Sequence, residues 1–268
     1  MQQPQVFRQI SRSYEGLARD IMIWASYDNS EWRCILPVGK FCKVFGYNRQ
    51  HLLKKLTSKQ LKQLDQLHGV TDVTNVIEYV LYFLQKTNLT FEEKYSHVNA
   101  AGCIEKVTKF NTIPAVIGNL TFTRSPRGFM YSFQVQDYYR RACQQRYQTF
   151  LLEYYLNVRT EEGYAWNHGR SLFLRMMWKR YNFESSKSSY KDGEDNYKAL
   201  CKAAGISHDC EKRNAYELRG MLHQVNKLGN IGMEATVENR VQLGQVPYRV
   251  IFEKVKQVDR QLKLKLQE

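Results

Sequence analysis

The chain has 268 residues, of which 43% are hydrophobic and 25% are charged, and this composition excludes an intrinsically disordered polymer. Its length is enough for one or two domains that each bury a core. Lysine and arginine outnumber aspartate and glutamate by 40 to 26, with 19 against 11 in residues 1–145 and 21 against 15 in residues 146–268. A basic excess in both halves favours two surfaces that face a polyanion. The alternative is a generically basic soluble protein.

Membrane insertion and export are not expected. No apolar run approaches the roughly 18 residues that span a bilayer, and the first residues lack the apolar segment of a signal peptide. The six cysteines are scattered and form no C-x-x-C pair, which is typical of reduced thiols. We therefore expect a cytoplasmic protein without a membrane partner.

A helix-turn-helix pattern follows a first amphipathic helix, which is predicted over residues 6–26. The residues from Val38 to Phe45 predict a short apolar helix, and Gly46 suits the positive φ of a tight turn between two helices. Asn48 suits the capping position of the next helix, which is predicted to continue to about Gly69.

The second helix of this pattern has the character of a DNA-reading helix. Its first side chains can bind base edges or phosphates, and lysines follow further along. The candidate DNA-binding residues of this unit are Asn48, Arg49, Gln50, His51, Lys54 and Lys55.

A β-hairpin is predicted downstream of another amphipathic helix, which opens at residues 72–74. The runs 119–123 and 130–135 alternate polar and apolar side chains on either side of a turn. A hairpin after a helix-turn-helix is a wing, and arginines at its tip commonly contact phosphates or the minor groove. The tip candidates are Arg124 and Arg127, and the alternative is a solvated loop.

The same order of elements recurs in the second half. Helices predicted over residues 137–158 and 166–181 precede a polar loop at 185–195. A short helix over residues 196–204 then leads to a turn at Gly205.

A longer helix over about residues 212–228 and two strand candidates complete this second copy. The alternative is that this longer helix is a surface helix with ordinary solvated charges. The candidate DNA-binding residues are Lys212, Arg213, Asn214 and Arg219 on the helix, and Arg240 and Arg249 on the hairpin.

Signatures of catalysis and cofactor binding are not found. There is no G-x-x-x-x-G-K-[ST] loop, no G-x-G-x-x-G fingerprint and no H-E-x-x-H motif. Cys201, His208 and Cys210 form a short cluster without a fourth zinc ligand. We therefore predict no catalytic residue, no metal and no cofactor.

A tyrosine recombinase is the enzyme most compatible with the charge and size of the chain. Such an enzyme needs two arginines, a histidine or lysine and a tyrosine around one phosphodiester. His168, Arg170 and Arg175 are close in sequence, but not at the spacing that these enzymes use. A core helix is the preferred interpretation of this segment, and we expect a protein that is not an enzyme.

In its order of elements, the chain resembles the plasmid replication initiators built from two winged-helix domains. The likeness consists of five features that cover most of the chain. These are the helix-turn-helix at 38–56, the strand-rich stretch at 110–135, the tyrosine-rich junction from Tyr138 to Tyr155, the helix at 170–175 and the long helix with its hairpin at 212–255. The chain departs from the family in a longer, more helical segment at 56–98 and in lacking the usual Leu-Tyr pair near Arg170.

The resemblance implies an α+β, mainly helical protein with two winged-helix (helix-turn-helix plus β-hairpin) domains, at residues 1–140 and 141–268. It implies a sequence-specific protein whose monomers bind repeated sites in duplex DNA at a replication origin, and whose dimers bind an inverted repeat. Its partners would be double-stranded DNA, a second copy of the chain and host replication proteins. A transcriptional repressor or partition protein, and a DNA strand-transfer enzyme such as a tyrosine recombinase, are the alternatives.

Overall fold

A computed structural model describes residues 12–27, 33–58, 60–62, 73–86, 89–98, 104–113, 116–125, 128–137, 139–140, 152–185, 196–239 and 248–254. In this part of the chain the protein is α+β with antiparallel sheets, so the α+β class expected from the sequence is confirmed, while the two winged-helix domains stay a prediction. The chain divides into two compact units, Met1–Tyr147 and Gln148–Glu268. The boundary expected between residues 140 and 141 stays a prediction, because residues 141–151 lie outside the described part.

Unit 1 combines helices with two separate antiparallel sheets in its described residues. Its elements are α1 (Arg12–Tyr27), β1 (Arg33–Pro37), α2 (Val38–Phe45), α3 (Arg49–Leu52), α4 (Val76–Lys86), β2 (Leu89–Val98), β3 (Ile104–Ile113), β4 (Ile117–Ser125) and β5 (Gly128–Val135). The strands β4 and β5 pair in antiparallel register, so the predicted hairpin is confirmed. The strand β1 was not predicted, and the expected helical character of the segment 56–98 is wrong for residues 89–98, which form β2.

The three-stranded sheet has the order β1-β5-β4. Because side chains alternate along a strand, one face buries Cys34 and Leu36 of β1 together with Tyr131 and Phe133 of β5. Leu36 lies opposite Tyr131, so the strand that precedes the helix-turn-helix pairs directly with the second strand of the hairpin. The strands β2 and β3 form a second hairpin, paired from Leu89 opposite Ile113 to Val98 opposite Ile104.

The helix α4 is buried at every position from Val76 to Leu84. A sequence that is apolar all round a helix is expected to lie inside a core, and α4 packs against α1 and β4. Glu78 is the exception among these buried residues, because it is acidic and still has no exposed surface.

The carboxylate of Glu78 accepts hydrogen bonds from two strands and from the segment just before α4. Arg124 of β4 donates through Nε (2.9 Å) and Nη2 (2.8 Å), and the hydroxyl of Tyr131 on β5 donates at 3.0 Å. Thr74 donates through its backbone N–H (2.8 Å) and its hydroxyl (2.9 Å). Asn75 caps α4, accepting from the N–H of Glu78 at 3.0 Å. This cluster fastens the start of α4 to both strands of the β4–β5 hairpin.

Burial by itself would raise the pKa of Glu78, since it penalises the charged form. The hydrogen bonds from Arg124, Thr74 and Tyr131 outweigh this effect, and the pKa of Glu78 is lowered below its ordinary value. Burial and the Glu78 charge together raise the pKa of Tyr131, which therefore keeps its proton and acts as a donor.

Unit 2 has helices and one antiparallel hairpin in its described residues. Its elements are α5 (Leu152–Leu156), α6 (Asn167–Ser185), α7 (Asn196–Ala204), α8 (Glu211–Gly229), β6 (Met233–Asn239) and β7 (Tyr248–Lys254). These agree with the predicted order of short helix, turn, long helix and two strands. The predicted polar loop lies, from residue 186 on, outside the described part.

The core of unit 2 forms where α6, α7 and α8 pack together. Phe173 of α6 is fully buried against Tyr155 of α5, with ring centroids 5.7 Å apart, and Gly229 at the end of α8 allows Phe173 to approach. Arg170 is also fully buried, and its guanidinium carbon lies 5.0 Å from the Tyr155 ring centroid. The preference for a core helix in this segment is therefore confirmed.

Replacing Glu78 with glutamine removes a buried carboxylate that five donor groups satisfy. We expect Glu78→Gln to lower the free energy of unfolding by roughly 1.5–3 kcal/mol at pH 7, the range for hydrogen bonds to a charged group. Because the folded pKa is lowered, the carboxylate stabilises fully above its unfolded pKa of about 4.3, and this contribution is lost as the pH falls through the folded value. Urea unfolding at several pH values measures both effects.

The difference between wild type and Glu78→Gln should therefore shrink on acidification. Glu153→Gln, at an exposed helical glutamate, is the matched control and should change stability little at any pH. A difference that stays constant as the solution is acidified below pH 4 would contradict the role given to the ionised carboxylate.

Candidate nucleic-acid interface

The turn of the first helix-turn-helix forms as predicted. Gly46 ends α2 with φ 77° and ψ 30°, a left-handed conformation that side chains other than glycine's rarely adopt. The N–H groups of Gly46 and Tyr47 both donate to the carbonyl of Cys42, at 2.8 and 3.0 Å. The chain is thereby directed into α3.

Asn48 caps α3, as predicted from the sequence. Its side-chain oxygen accepts from the backbone N–H groups of Gln50 (2.9 Å) and His51 (3.4 Å). The next three residues, Arg49, Gln50 and His51, are exposed. The capped turn thus presents three consecutive polar or basic side chains to solvent.

The predicted length of this helix is wrong, because α3 ends at Leu52 and comprises a single turn. A new helical turn begins after Thr57, whose backbone N–H and hydroxyl donate to Oε1 of Gln60, both at 2.8 Å. The N–H of Gln60 donates back to the Thr57 hydroxyl at 3.4 Å. This reciprocal pattern is a capping box, and the spacing Thr-x-x-Gln is its sequence signal. Lys54 and Lys55 are exposed but follow the helix instead of lying on it.

The β4–β5 hairpin lies beside the start of α3. Nη2 of Arg49 is 4.0 Å from the position that a Cβ would take on Gly128, the first residue of β5. The exposed start of α3 and this end of the hairpin therefore form one surface. We use the name unit 1 surface for its exposed polar residues from α3 and the segment just after it, which are Arg49, Gln50, His51, Lys54 and Lys55.

Of the two arginines predicted at the hairpin tip, the structure describes Arg124. Arg127 lies outside the described residues. The Arg124 guanidinium is bound to the buried Glu78 carboxylate and lies 5.5 Å from the Phe122 ring centroid, while 38% of its side chain stays exposed. Arg124 therefore has a structural role, and its DNA contact stays a prediction.

The turn of the second unit uses Gly205, which has φ 71° at the end of α7. Asn214 of α8 is only 6% exposed, and its side chain accepts from the N–H of His208 (2.9 Å) and donates to the His208 carbonyl (3.0 Å). The structure thus corrects the expected exposure of Asn214: the residue fixes the turn to α8, because a buried amide needs bonds of this kind. It leaves no surface there for a base edge.

The exposed face of α8 was only partly identified from the sequence. The buried face includes Leu218, Leu222 and Val225. On the opposite side, exposed residues recur at spacings of three and four, which places them in one line along the helix. This α8 stripe consists of Arg213, Tyr216, Gly220, His223 and Lys227.

Only Arg213 of the α8 stripe was among the candidates. Residue type near the start of the helix identifies only Arg213, whereas the spacing opposite the apolar positions identifies the whole stripe. Lys212 is exposed beside it, and Nη2 of Arg219 donates to the carbonyl of Val237 on β6 at 2.8 Å. Arg240 lies outside the described residues, and Arg249 lies in β7 opposite Glu238.

Glu217, an acidic residue of α8 that contacts a member of the stripe, is bound to basic neighbours. Glu217 contacts Nε2 of His208 at 2.8 Å and Nε of Arg213 at 3.3 Å. The hydrogen bond with His208 and the nearby charge of Arg213 lower the pKa of Glu217. The negative charge of Glu217 is thus offset by the guanidinium of Arg213.

Within the described ranges, no group of three or more His, Cys, Asp or Glu side chains is placed to hold a metal ion. The same ranges contain no helix whose length and apolar character would allow it to cross a membrane. Arg170, considered above with the recombinase alternative, has no surface exposed to solvent.

Comparison with known proteins adds no assignment: no protein-family model matches the chain, and no curated protein matches it.

The cap of α3 gives a direct test of the local structure. We expect Asn48→Ala to lower the free energy of unfolding by about 1 kcal/mol, because the N–H groups of Gln50 and His51 lose their acceptor. Asn48→Ser is the matched control, since a serine oxygen also caps and should retain most of the stability. Urea unfolding curves measure both variants, and equal losses in the two would contradict the capping role.

Proposed function

We propose that the chain is a sequence-specific duplex DNA-binding protein with one helix-turn-helix surface in each unit. The observation that carries the proposal is the pair of exposed, basic helix faces, each of which follows a left-handed glycine turn and precedes an antiparallel hairpin. In unit 1 the order of elements is α2, Gly46 and α3, followed by α4, the β2–β3 hairpin and then the β4–β5 hairpin. In unit 2 it is α7, Gly205, α8 and the β6–β7 hairpin.

The sheet of unit 1 supports a winged-helix interpretation of that unit. The order β1-β5-β4 pairs the strand before the helix-turn-helix with the outgoing strand of the hairpin, and Arg49 lies against the hairpin at Gly128. A helix flanked by a hairpin suits a duplex, because the helix fits the major groove while the hairpin follows the adjacent backbone.

The charge supports a polyanionic partner. The unit 1 surface and the α8 stripe carry Arg49, Lys54, Lys55, Arg213 and Lys227 as exposed cations. Phosphate contacts from such residues supply the sequence-independent part of DNA affinity, whereas contacts to base edges supply specificity.

We further propose a plasmid-type replication initiator that binds repeated sites at an origin. This role rests on the resemblance in element order described above. Two DNA-reading units in one chain suit a monomer that covers two successive half-sites, about one helical turn apart.

Salt dependence tests the DNA-binding proposal. We expect the association constant for a duplex to fall linearly on a double-logarithmic plot, with a slope of about −0.9 per phosphate neutralised. Fluorescence anisotropy over a series of salt concentrations measures the slope. An affinity that does not change with salt would mean that the basic surfaces do not bind DNA.

Sites selected from a random duplex library distinguish the biological roles. Tandem direct repeats bound by monomers favour the initiator, whereas a single palindrome bound only by a dimer favours a repressor. Covalent trapping of the protein on nicked DNA through a tyrosine would support a strand-transfer enzyme instead.

Arg49 is the sharpest test of base reading in unit 1. We expect Arg49→Ala to relax preference for the selected site at one position by roughly 1–3 kcal/mol. Arg33→Ala, at an exposed arginine of β1, is the matched control and should retain the preference. A loss of affinity that is equal on all sequences would make Arg49 a phosphate contact.

A further inference from the structure

Gly220 stands at the middle of α8, with nine helical residues on either side. Glycine inside a helix is less favourable than alanine, because its backbone loses more conformational freedom on folding. A glycine at this position therefore needs a physical reason.

The described part of the chain provides none. A Cβ built on Gly220 would meet no atom within 4 Å, and Gly220 is not among the residues with positive φ. Two other glycines of unit 2 differ in this respect. A Cβ on Gly229 would lie 2.5 Å from Phe173, and Gly205 has a left-handed backbone. Gly220 alone of these three has an open position and an ordinary helical conformation.

The surroundings of Gly220 indicate a polyanion. It is the central member of the α8 stripe, between Tyr216, which is 76% exposed, and His223. Lys227 lies at one end of the same line, and Arg213, which is exposed and paired with Glu217, lies at the other. Tyr216 adds an exposed hydroxyl to these positive charges, and tyrosine side chains are among those that bind phosphate oxygens in DNA complexes.

We propose that Gly220 is the point of closest approach between α8 and the floor of the DNA major groove. An α-helix with its side chains is roughly as wide as the groove, about 12 Å, so a position without a side chain lets the helix axis come nearer to the bases. Tyr216 and His223 then reach base edges on either side, while Arg213 and Lys227 contact phosphates. The inference rests on the proposed duplex-binding function and names the residues that determine specificity in unit 2.

The test is Gly220→Ala, with Gly39→Ala as the matched control. Gly39 is an exposed glycine of α2, and a Cβ there would also meet no atom within 4 Å. Both variants should raise the urea midpoint of unfolding, because alanine favours the helix. Gly220→Ala should nevertheless weaken binding to the selected duplex about tenfold, whereas Gly39→Ala should change it by less than about threefold.

The combination of a more stable protein with weaker binding is the expected signature. A Gly220→Ala variant that binds as tightly as wild type would overturn the inference, and so would an equal loss of affinity in Gly39→Ala. A fall in the stability of Gly220→Ala would also overturn it, since packing within the chain would then require the glycine. Failure of the wild-type protein to bind any duplex would reject the proposed function itself, so the two failures are distinguishable.

Discussion

The buried carboxylate of Glu78 is the interaction on which the arrangement of unit 1 depends. A buried ionised carboxylate is tolerated only when its oxygens accept hydrogen bonds in place of water. Here Arg124, Thr74 and Tyr131 donate these bonds from three separate segments. The direction of α4 and the position of the β4–β5 hairpin are therefore not independent. Arg49 lies against Gly128 of that hairpin. The hydrogen bonds of Glu78 therefore also help to hold the hairpin beside the exposed start of α3.

The two units solve the turn between helices in related ways. Each uses a glycine in the left-handed region and an asparagine further along, which is Asn48 just after Gly46 and Asn214 in the first turns of α8. Asn48 is half-buried and accepts from the first N–H groups of its helix, whereas Asn214 is buried and joins its helix to the turn. Asparagine thus serves as a helix cap in unit 1 and as a buried link between turn and helix in unit 2.

Short sequence patterns were sufficient to predict the elements that neighbouring residues stabilise. The turn at Gly46, the cap at Asn48 and the β4–β5 hairpin all follow from neighbouring residues. The strand β1 was not predicted, because five residues with two buried side chains give too short an alternation, and its partner β5 is distant in sequence. The single turn of α3 was overlooked although the Thr57–Gln60 pattern signals a new start. The salt bridge of Arg124 and the burial of Asn214 arise from tertiary contacts that spacing alone does not reveal.

The cap on α3 limits the kind of contact that this turn can make. A helix start usually offers free backbone N–H groups to an anion, without regard to base sequence. At α3 the amides of Gln50 and His51 are already taken by Asn48. Any ligand that approaches here meets side chains instead of those two amides. An anion at the start of α3 could therefore bind the exposed side chains there, but not these two backbone amides.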